Sequence, residues 1–232
     1  LDLGTGTGCP LFELAHRHGD SVHFVGMDIW QEGLNRANHK RRLYKRDTIS
    51  LTPYDGDHFP FADNSFDLIV SNVGLNNFQN VDRVLSECYR VCTIGGRVAF
   101  TTNIVGHMQE FYAVYRNILE NFGNPDYLHS LNEQEQHRGT QDSHKNAIQA
   151  AGFEITNIVN DKFNWNFLNG SAMMRHSLVR FGFMDGWRST IDPEDEITIF
   201  SDLESQLNQI ASNYGQLTMT IPQLYIEATK TH

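Results

Sequence analysis

Leu1-Asp2-Leu3-Gly4-Thr5-Gly6-Thr7-Gly8-Cys9-Pro10 decides how the rest of the chain is read. The apolar–acidic–apolar stub reads as the end of a buried strand and the three alternate glycines as a tight turn. Pro10 suits the first turn of a helix. Glycine tolerates the turn geometries that bring backbone against a ligand. The helix N-terminus beyond the turn offers unsatisfied N–H groups to polar atoms. Strand, glycine turn and helix in that order point to a nucleotide-like cofactor. The strand stub is shorter than the roughly five or six residues of a central strand, so its beginning is expected upstream of Leu1.

Glycine spacing sorts the cofactors. The dinucleotide fingerprint G-x-G-x-x-G sets its glycines two and then three apart. Here Gly4, Gly6 and Gly8 lie two and two apart, with Asp2 two residues ahead. A carboxylate in that place suits a cationic ligand better than a pyrophosphate. Asp2 and the spacing therefore both count against an NAD(P)-dependent oxidoreductase. A glycine turn without a ligand is the plain alternative.

Composition narrows the classes. The chain has 232 residues, 40% hydrophobic, a formal net charge of −10 and a pI near 5.5. That is one large domain or a domain with a cap, with a surface unsuited to nucleic acid or anionic membrane. The basic run His39-Lys40-Arg41-Arg42-Leu43-Tyr44-Lys45-Arg46 reads as a solvated helix face rather than a phosphate site. No apolar stretch is long enough for a membrane-spanning helix, so no membrane insertion is expected. Cys9, Cys88 and Cys92 form no disulfide framework and fit a reducing, cytoplasmic compartment. Cys88 and Cys92 share the apolar stripe of a helix and read as core, so no metal site is expected.

Helical and strand-like segments alternate along the chain. Helices are expected over 10–18, 31–45, 81–92, 108–122 and 142–151, with the third stopping at Gly95-Gly96 and the fourth broken by Gly123-Asn124-Pro125. Strands are expected over 22–29, 50–54, 66–72, 97–102 and 153–163. The pattern is that of a doubly wound, mostly parallel α/β sheet, a Rossmann-like arrangement. After Trp165 it changes to two helices, 171–187 and 202–214, then a last strand over 217–228. The expected division is an α/β cofactor-binding domain, 1–167 with 215–232, and a helical cap, 168–214, inserted before the last strand.

Ligands of open α/β sheets bind beyond the carboxyl ends of the strands. At that edge Asp28 ends the second strand, where its carboxylate suits a ribose diol. Asp57 follows the third strand, within reach of an exocyclic amine of adenine. Ser71 and Asn72 end the fourth, placed for the amino-acid end of a cofactor. Each has a plain alternative: Asp28 as a helix cap, Asp57 as a turn residue, the adjacent Trp30 as core.

The opening D-x-G-x-G-x-G resembles motif I of the class I S-adenosylmethionine-dependent methyltransferases. Asp57-His58-Phe59-Pro60-Phe61-Ala62-Asp63-Asn64-Ser65-Phe66-Asp67 resembles the GD-x-x-x-PF-x-D-x-SFD segment of their UbiE-like (methyltransferase type 11) group. Tyr89-Arg90-Val91-Cys92-Thr93-Ile94-Gly95-Gly96-Arg97 is similar to that group's RVLKPGGR segment. The three motifs fall in order over residues 1–103. The resemblance implies S-adenosylmethionine as cofactor. Asp2, Gly4, Thr5, Gly6 and Gly8 would wrap its methionine end, with Asp2 near the ammonium. Asp28 would hold the ribose, Ile29 and Trp30 would pack along adenine, and Asp57 and the backbone of His58 would hold the base. Asn72 and Val73 would line the methyl-transfer mouth. The family's histidine-bearing segment after strand four is absent; Val73-Gly74-Leu75-Asn76-Asn77-Phe78 stands there.

Methyl transfer from a sulfonium is an in-line displacement in which positioning does much of the work. A general base serves acceptors that must lose a proton. His107, His176 and Tyr112 are the candidates, each with a packing role as its alternative. No N-P-P-Y-like motif follows strand four, which disfavours nucleobase or glutamine amines. The apolar cap segment (Phe163, Trp165, Met173, Met174, Phe181, Trp187) suits a small, largely apolar acceptor methylated on oxygen or carbon. A non-catalytic ligand-binding protein on the same fold is the alternative. Oligomeric state is not legible.

Overall fold

Seven strands form one sheet among the described residues of the computed structural model, which are 1–54, 58–136 and 138–232. They are β1 (Asp2–Leu3), β2 (Phe24–Asp28), β3 (Ile49–Pro53), β4 (Phe66–Asn72), β5 (Cys92–Asn103), β6 (Glu154–Phe167) and β7 (Leu217–Thr229), in the order β3-β2-β1-β4-β5-β7-β6. The five strands from β3 to β5 are parallel; Asp2 lies opposite Gly26 on one side and Val70 on the other. The order reverses between β1 and β4, which makes the carboxyl ends of those two strands a topological switch point. The doubly wound, mostly parallel α/β class is thus the class observed.

Ten α-helices accompany the described strands: α1 (Cys9–His18), α2 (Gln31–Leu43), α3 (Val81–Val91), α4 (Gln109–Phe122), α5 (Pro125–Gln136), α6 (Gln141–Ala150), α7 (Gly170–Arg175), α8 (Ser177–Gly182), α9 (Met184–Arg188) and α10 (Glu196–Tyr214). The amphipathic stripe of α3 buries Val84, Leu85, Cys88 and Val91, and the Asn80 side chain accepts the Arg83 N–H at its start. Thr140 and Ser143 close a reciprocal capping box at the start of α6.

Two compact units result. The first comprises Leu1–Thr102, Thr140–Asn160 and Leu224–His232; the second comprises Asn103–Gly139 and Asp161–Gln223. Residues 168–214, expected as a cap, lie within the second unit, which also takes in 103–139. In the first unit Leu11, Ala15, Phe24 and Ile49 pack together. The second has its own core, in which Phe111, Tyr115, Leu119, Trp187, Leu203 and Met219 are buried.

Three local expectations are corrected. The helix expected to run to Gly95-Gly96 ends at Val91, and β5 starts at Cys92. The glycines sit in an irregularity of that strand: Phe66 pairs with Cys92 and Leu68 with Arg97, while Gly95 and Gly96 bond the backbone of Lys230. The break read at Gly123-Asn124-Pro125 is observed, since α4 ends at Phe122 with Gly123 at φ 85°; what the sequence reading lacked is α5, which Pro125 begins in a position where its missing N–H costs nothing. The helix expected over 171–187 is three short ones. Phe183 leaves helical geometry between two of them and stacks on His107 and Trp187, so tertiary packing overrides the local pattern. The helix expected from residue 202 starts at Glu196, so Asp195 and Glu196 fall at its N-terminus, where the helix dipole favours carboxylates.

Candidate cofactor site

The site is built at the switch point, within the first unit. Gly4, Gly6 and Gly8 all take positive φ, 72°, 53° and 84°. The N–H groups of Gly4 and Thr5 both donate to the Met27 carbonyl at 2.8 and 3.1 Å, which ties the turn to the end of β2. Gly6 is where glycine matters most for a ligand. Its φ disfavours a side chain, and a Cβ there would meet nothing within 4 Å, so open space stands over the backbone.

Asp28 fastens the turn to the next loop. Its Oδ2 accepts the Gly6 N–H at 2.6 Å and its Oδ1 accepts the Trp30 N–H at 2.8 Å. A carboxylate has about four acceptor positions, so each oxygen keeps one for further donors such as a diol. Trp30 and Ile29 are large apolar residues left 53% and 71% exposed at this edge. One side of the Trp30 ring packs on Gly33, where a Cβ would come within 2.5 Å of it.

β4 supplies the opposite rim. Asn72 Oδ1 accepts from Thr101 Oγ1 at 2.5 Å, and Val73 N–H donates to the Thr101 carbonyl at 2.8 Å. Val73 has φ 59°, an outlier for a β-branched residue. Strain of this kind concentrates at functional sites. Gly74 lets the β4 loop approach the glycine turn: its Cα lies 3.6 Å from where a Cβ on Gly4 would sit. The buried Ser71 hydroxyl lies against the same pair of glycines and has no hydrogen-bond partner among the described residues.

Together these residues enclose a cavity of about 380 Å³, lined by Leu3, Gly4, Gly6, Met27, Asp28, Ile29, Trp30, Tyr54, Asn72, Val73, Gly74, Asn77 and Phe78. Of the expected residues it brings together Gly4, Gly6, Asp28, Ile29, Trp30, Asn72 and Val73. Asp2, Thr5, Gly8 and His58 do not line it. Asp2 lies beneath the turn, buried, with its Oδ2 accepting from Thr5 Oγ1 at 2.6 Å. Burial pushes its pKa up to about 6. Gly8 packs against the Phe12 ring. His58 points its ring at Glu87, with Nδ1 2.8 Å from Oε2. Asp57 lies outside the described residues.

Sequence reasoning missed Tyr54, Phe78, Gly74 and Thr101. Tyr54 stands one residue past β3, so the strand-end rule that found Asp28 would have found it. Phe78 has no such signal, because the turn that carries it has no regular period.

The three candidates for proton transfer all belong to the second unit. His107 is 2% exposed, stacked on Phe183 at 5.4 Å and edge-on to Trp165 at 5.8 Å, with neither ring nitrogen hydrogen-bonded to a described residue. Burial, with the nearby Arg138 cation, pushes its pKa down to about 3. Tyr112 is buried; its hydroxyl accepts from Trp187 Nε1 at 3.2 Å and from Arg138 Nη1 at 3.5 Å. His176 is exposed between α7 and α8, edge-on to Phe167. No group of three or more His, Cys, Asp or Glu among the described residues is placed to hold a metal ion. No described helix is long and apolar enough to cross a membrane.

Known proteins resemble this chain in sequence and in fold. A family model described as a methyltransferase domain matches residues 1–100. The ubiquinone/menaquinone biosynthesis C-methyltransferase UbiE of Haemophilus ducreyi is 32% identical over 170 residues, which cover 69% of this chain and 66% of that protein. A demethylmenaquinone methyltransferase of Lactobacillus johnsonii is 40% identical over 101 residues, 42% of this chain and 41% of that protein. The chain thus spans just under two thirds of the first relative and less than half of the second. Among solved structures, phosphoethanolamine N-methyltransferase 2 of Haemonchus contortus, in complex with S-adenosyl-L-methionine, aligns with a TM-score of 0.58 at 18% identity. That alignment covers all of this chain and 48% of the other, and it shows a shared fold.

Proposed function

Because the chain belongs to the class I S-adenosylmethionine-dependent methyltransferase family, in its UbiE-like group, we propose that it transfers a methyl group from S-adenosylmethionine to a small, largely apolar acceptor. The observation that carries this reading is the Asp28 carboxylate. It is fixed by the Gly6 and Trp30 amides at the mouth of a glycine turn and keeps acceptor capacity for a ribose diol.

The residues present fit the cofactor. Open space over Gly6 admits a ligand against the backbone, and Trp30, Tyr54 and Phe78 give the cavity flat apolar walls suited to a purine. Asn72, held by Thr101, stands on the rim opposite Asp28 with its amide available to the amino-acid end. When bound, the cofactor supplies an electrophilic methyl on a sulfonium. The acceptor would take that methyl and give up a proton to a base or to water, with S-adenosylhomocysteine as the other product. Asp2 and Thr5, bonded to each other beneath the turn, would support its shape with a carboxylate behind the methionine end.

The name of the Haemophilus ducreyi relative describes methylation at carbon, and this favours carbon over oxygen as the accepting atom. An isotope-labelled methyl assay against hydroxylated aromatic acceptors tests the proposal, with mass spectrometry locating the label. Labelled product on ring carbon supports it. Cofactor binding without transfer to any acceptor favours the non-catalytic alternative.

A further inference from the structure

Phe59 is gripped at both of its backbone groups by side chains, not by a strand or a helix. Its N–H donates to Glu87 Oε2 at 2.8 Å, and its carbonyl accepts from Arg90 Nη2 at 3.0 Å as well as from the Phe61 N–H at 2.8 Å. Glu87 and Arg90 stand one turn apart on α3 and bond each other at 3.0 and 2.8 Å. The same carboxylate oxygen lies 2.8 Å from His58 Nδ1. Arg90 Nη1 also donates to the Phe61 carbonyl and the Asp63 carboxylate, both at 2.8 Å. Glu87 is 4% exposed and Phe59 fully buried. A buried carboxylate is costly unless its lone pairs are used, and here they are used on irregular chain that no ladder holds.

That chain backs the cavity. The Phe59 ring meets Tyr54 edge-on at 5.5 Å, and Tyr54 meets Phe78 edge-on at 6.4 Å. Tyr54 and Phe78 both line the cavity, and the Tyr54 N–H donates to the Asp28 carbonyl at 2.8 Å. We propose that Glu87 and Arg90 are positioning residues for the nucleoside half of the cofactor site, acting through Phe59 on Tyr54. The pair touches no cofactor atom. It holds the backbone that presses the Tyr54 wall into place beside the residue expected to take the ribose. This rests on the methyltransferase reading above.

The test is calorimetric titration of the full chain with S-adenosylhomocysteine and with 5′-methylthioadenosine, which keeps the nucleoside half and lacks the amino-acid half. Glu87→Gln and Arg90→Lys are compared with wild type well below each variant's melting transition. Positioning of the nucleoside wall raises Kd for both ligands by about tenfold or more and by a common factor. Folded variants with Kd within about twofold of wild type for both ligands overturn the proposal. So does a loss confined to S-adenosylhomocysteine, which would put the effect at the amino-acid end. If both variants fail to fold, Tyr54→Leu leaves the ion pair intact and removes the wall it supports. A parallel loss for both ligands then supports the proposal, and unaltered binding overturns it. Wild type that binds neither ligand overturns the methyltransferase reading, and this proposal with it.

Discussion

The Asp28 carboxylate accepts the Gly6 N–H at 2.6 Å, so the acid that ends β2 and the middle glycine of the opening turn form one rigid unit. Two features of the sequence twenty-two residues apart act as a single binding element. Its geometry depends on charge: an amide in place of the carboxylate offers one acceptor oxygen where two are used. Asp28→Asn should therefore weaken S-adenosylhomocysteine binding by about 10–100-fold, the range expected for loss of hydrogen bonds to a charged group. Calorimetry measures it, and thermal melting should show a smaller effect than binding does.

Val73 is held at φ 59° by the Thr101 carbonyl and hydroxyl. Val73→Gly relieves a strain of about 1–3 kcal/mol and adds about 0.5–1 kcal/mol of unfolded-state entropy. A stability gain of about 1 kcal/mol is expected in urea unfolding. A loss comparable to a core truncation would show that the side chain packs rather than strains.

Glu87 and Asp2 give acid stability opposite slopes. The Arg90 hydrogen bond holds Glu87 near 2, below its unfolded value of 4.5. Its stabilisation is present above about pH 4.5 and is lost as pH falls toward 2, a change of about 3 kcal/mol. Glu87→Gln should flatten that limb of the stability–pH curve. Asp2 is raised by burial, from 3.8 to about 6. It favours the folded state most below pH 4 and loses that advantage as pH rises through 6. Asp2→Asn should therefore match wild type in acid and exceed it in stability at pH 7, as chemical denaturation at the two pH values would show.

Lys230 is buried near the end of β7. Its Nζ donates to Asn64 Oδ1 at 2.9 Å and to the Tyr89 and Cys92 carbonyls at 2.8 and 2.9 Å, at the C-terminus of α3. Removing the donor strands three acceptors. Lys230→Met is expected to cost about 2–4 kcal/mol. A urea midpoint unchanged from wild type would contradict it.

His107 is too weak a base, with its pKa near 3, to draw a proton efficiently from a neutral acceptor. Stacked on Phe183 and edge-on to Trp165, it is replaceable by another ring. His107→Phe should keep the melting temperature and reduce methyl transfer by less than about tenfold, below the usual contribution of a general base. A loss of several hundredfold at unchanged stability would reinstate it as the base.

Much of this architecture was legible because the sheet is parallel and its strands are short apolar runs between amphipathic helices. Phe66–Asn72 was bounded to the residue, since a central strand has little polar interruption. Asp28 and Asn72 stood out by position alone, as polar residues ending such runs. Legibility failed where long-range contacts decide. The helix that begins at Pro125 is not legible behind that stop signal, because only the folded chain shows it burying Tyr127 and Leu131. Phe183 breaks a helix because His107 and Trp187 lie ready to stack with it. Glu87 and Arg90 look like the polar face of α3, and only the folded chain shows both reaching Phe59. The placement of Asp2 under the turn was hidden too, because a motif states spacing and not the direction a carboxylate faces.

The most direct measurement of the central claim is equilibrium binding of S-adenosylmethionine and S-adenosylhomocysteine, followed by calorimetry and by the fluorescence of the half-exposed Trp30. Saturable one-to-one binding of both is expected, with a Trp30-dependent fluorescence change and a marked loss on Asp28→Ala. Absence of binding by wild type, or binding indifferent to Asp28 and Trp30, would contradict a cofactor seated between the glycine turn and the end of β4.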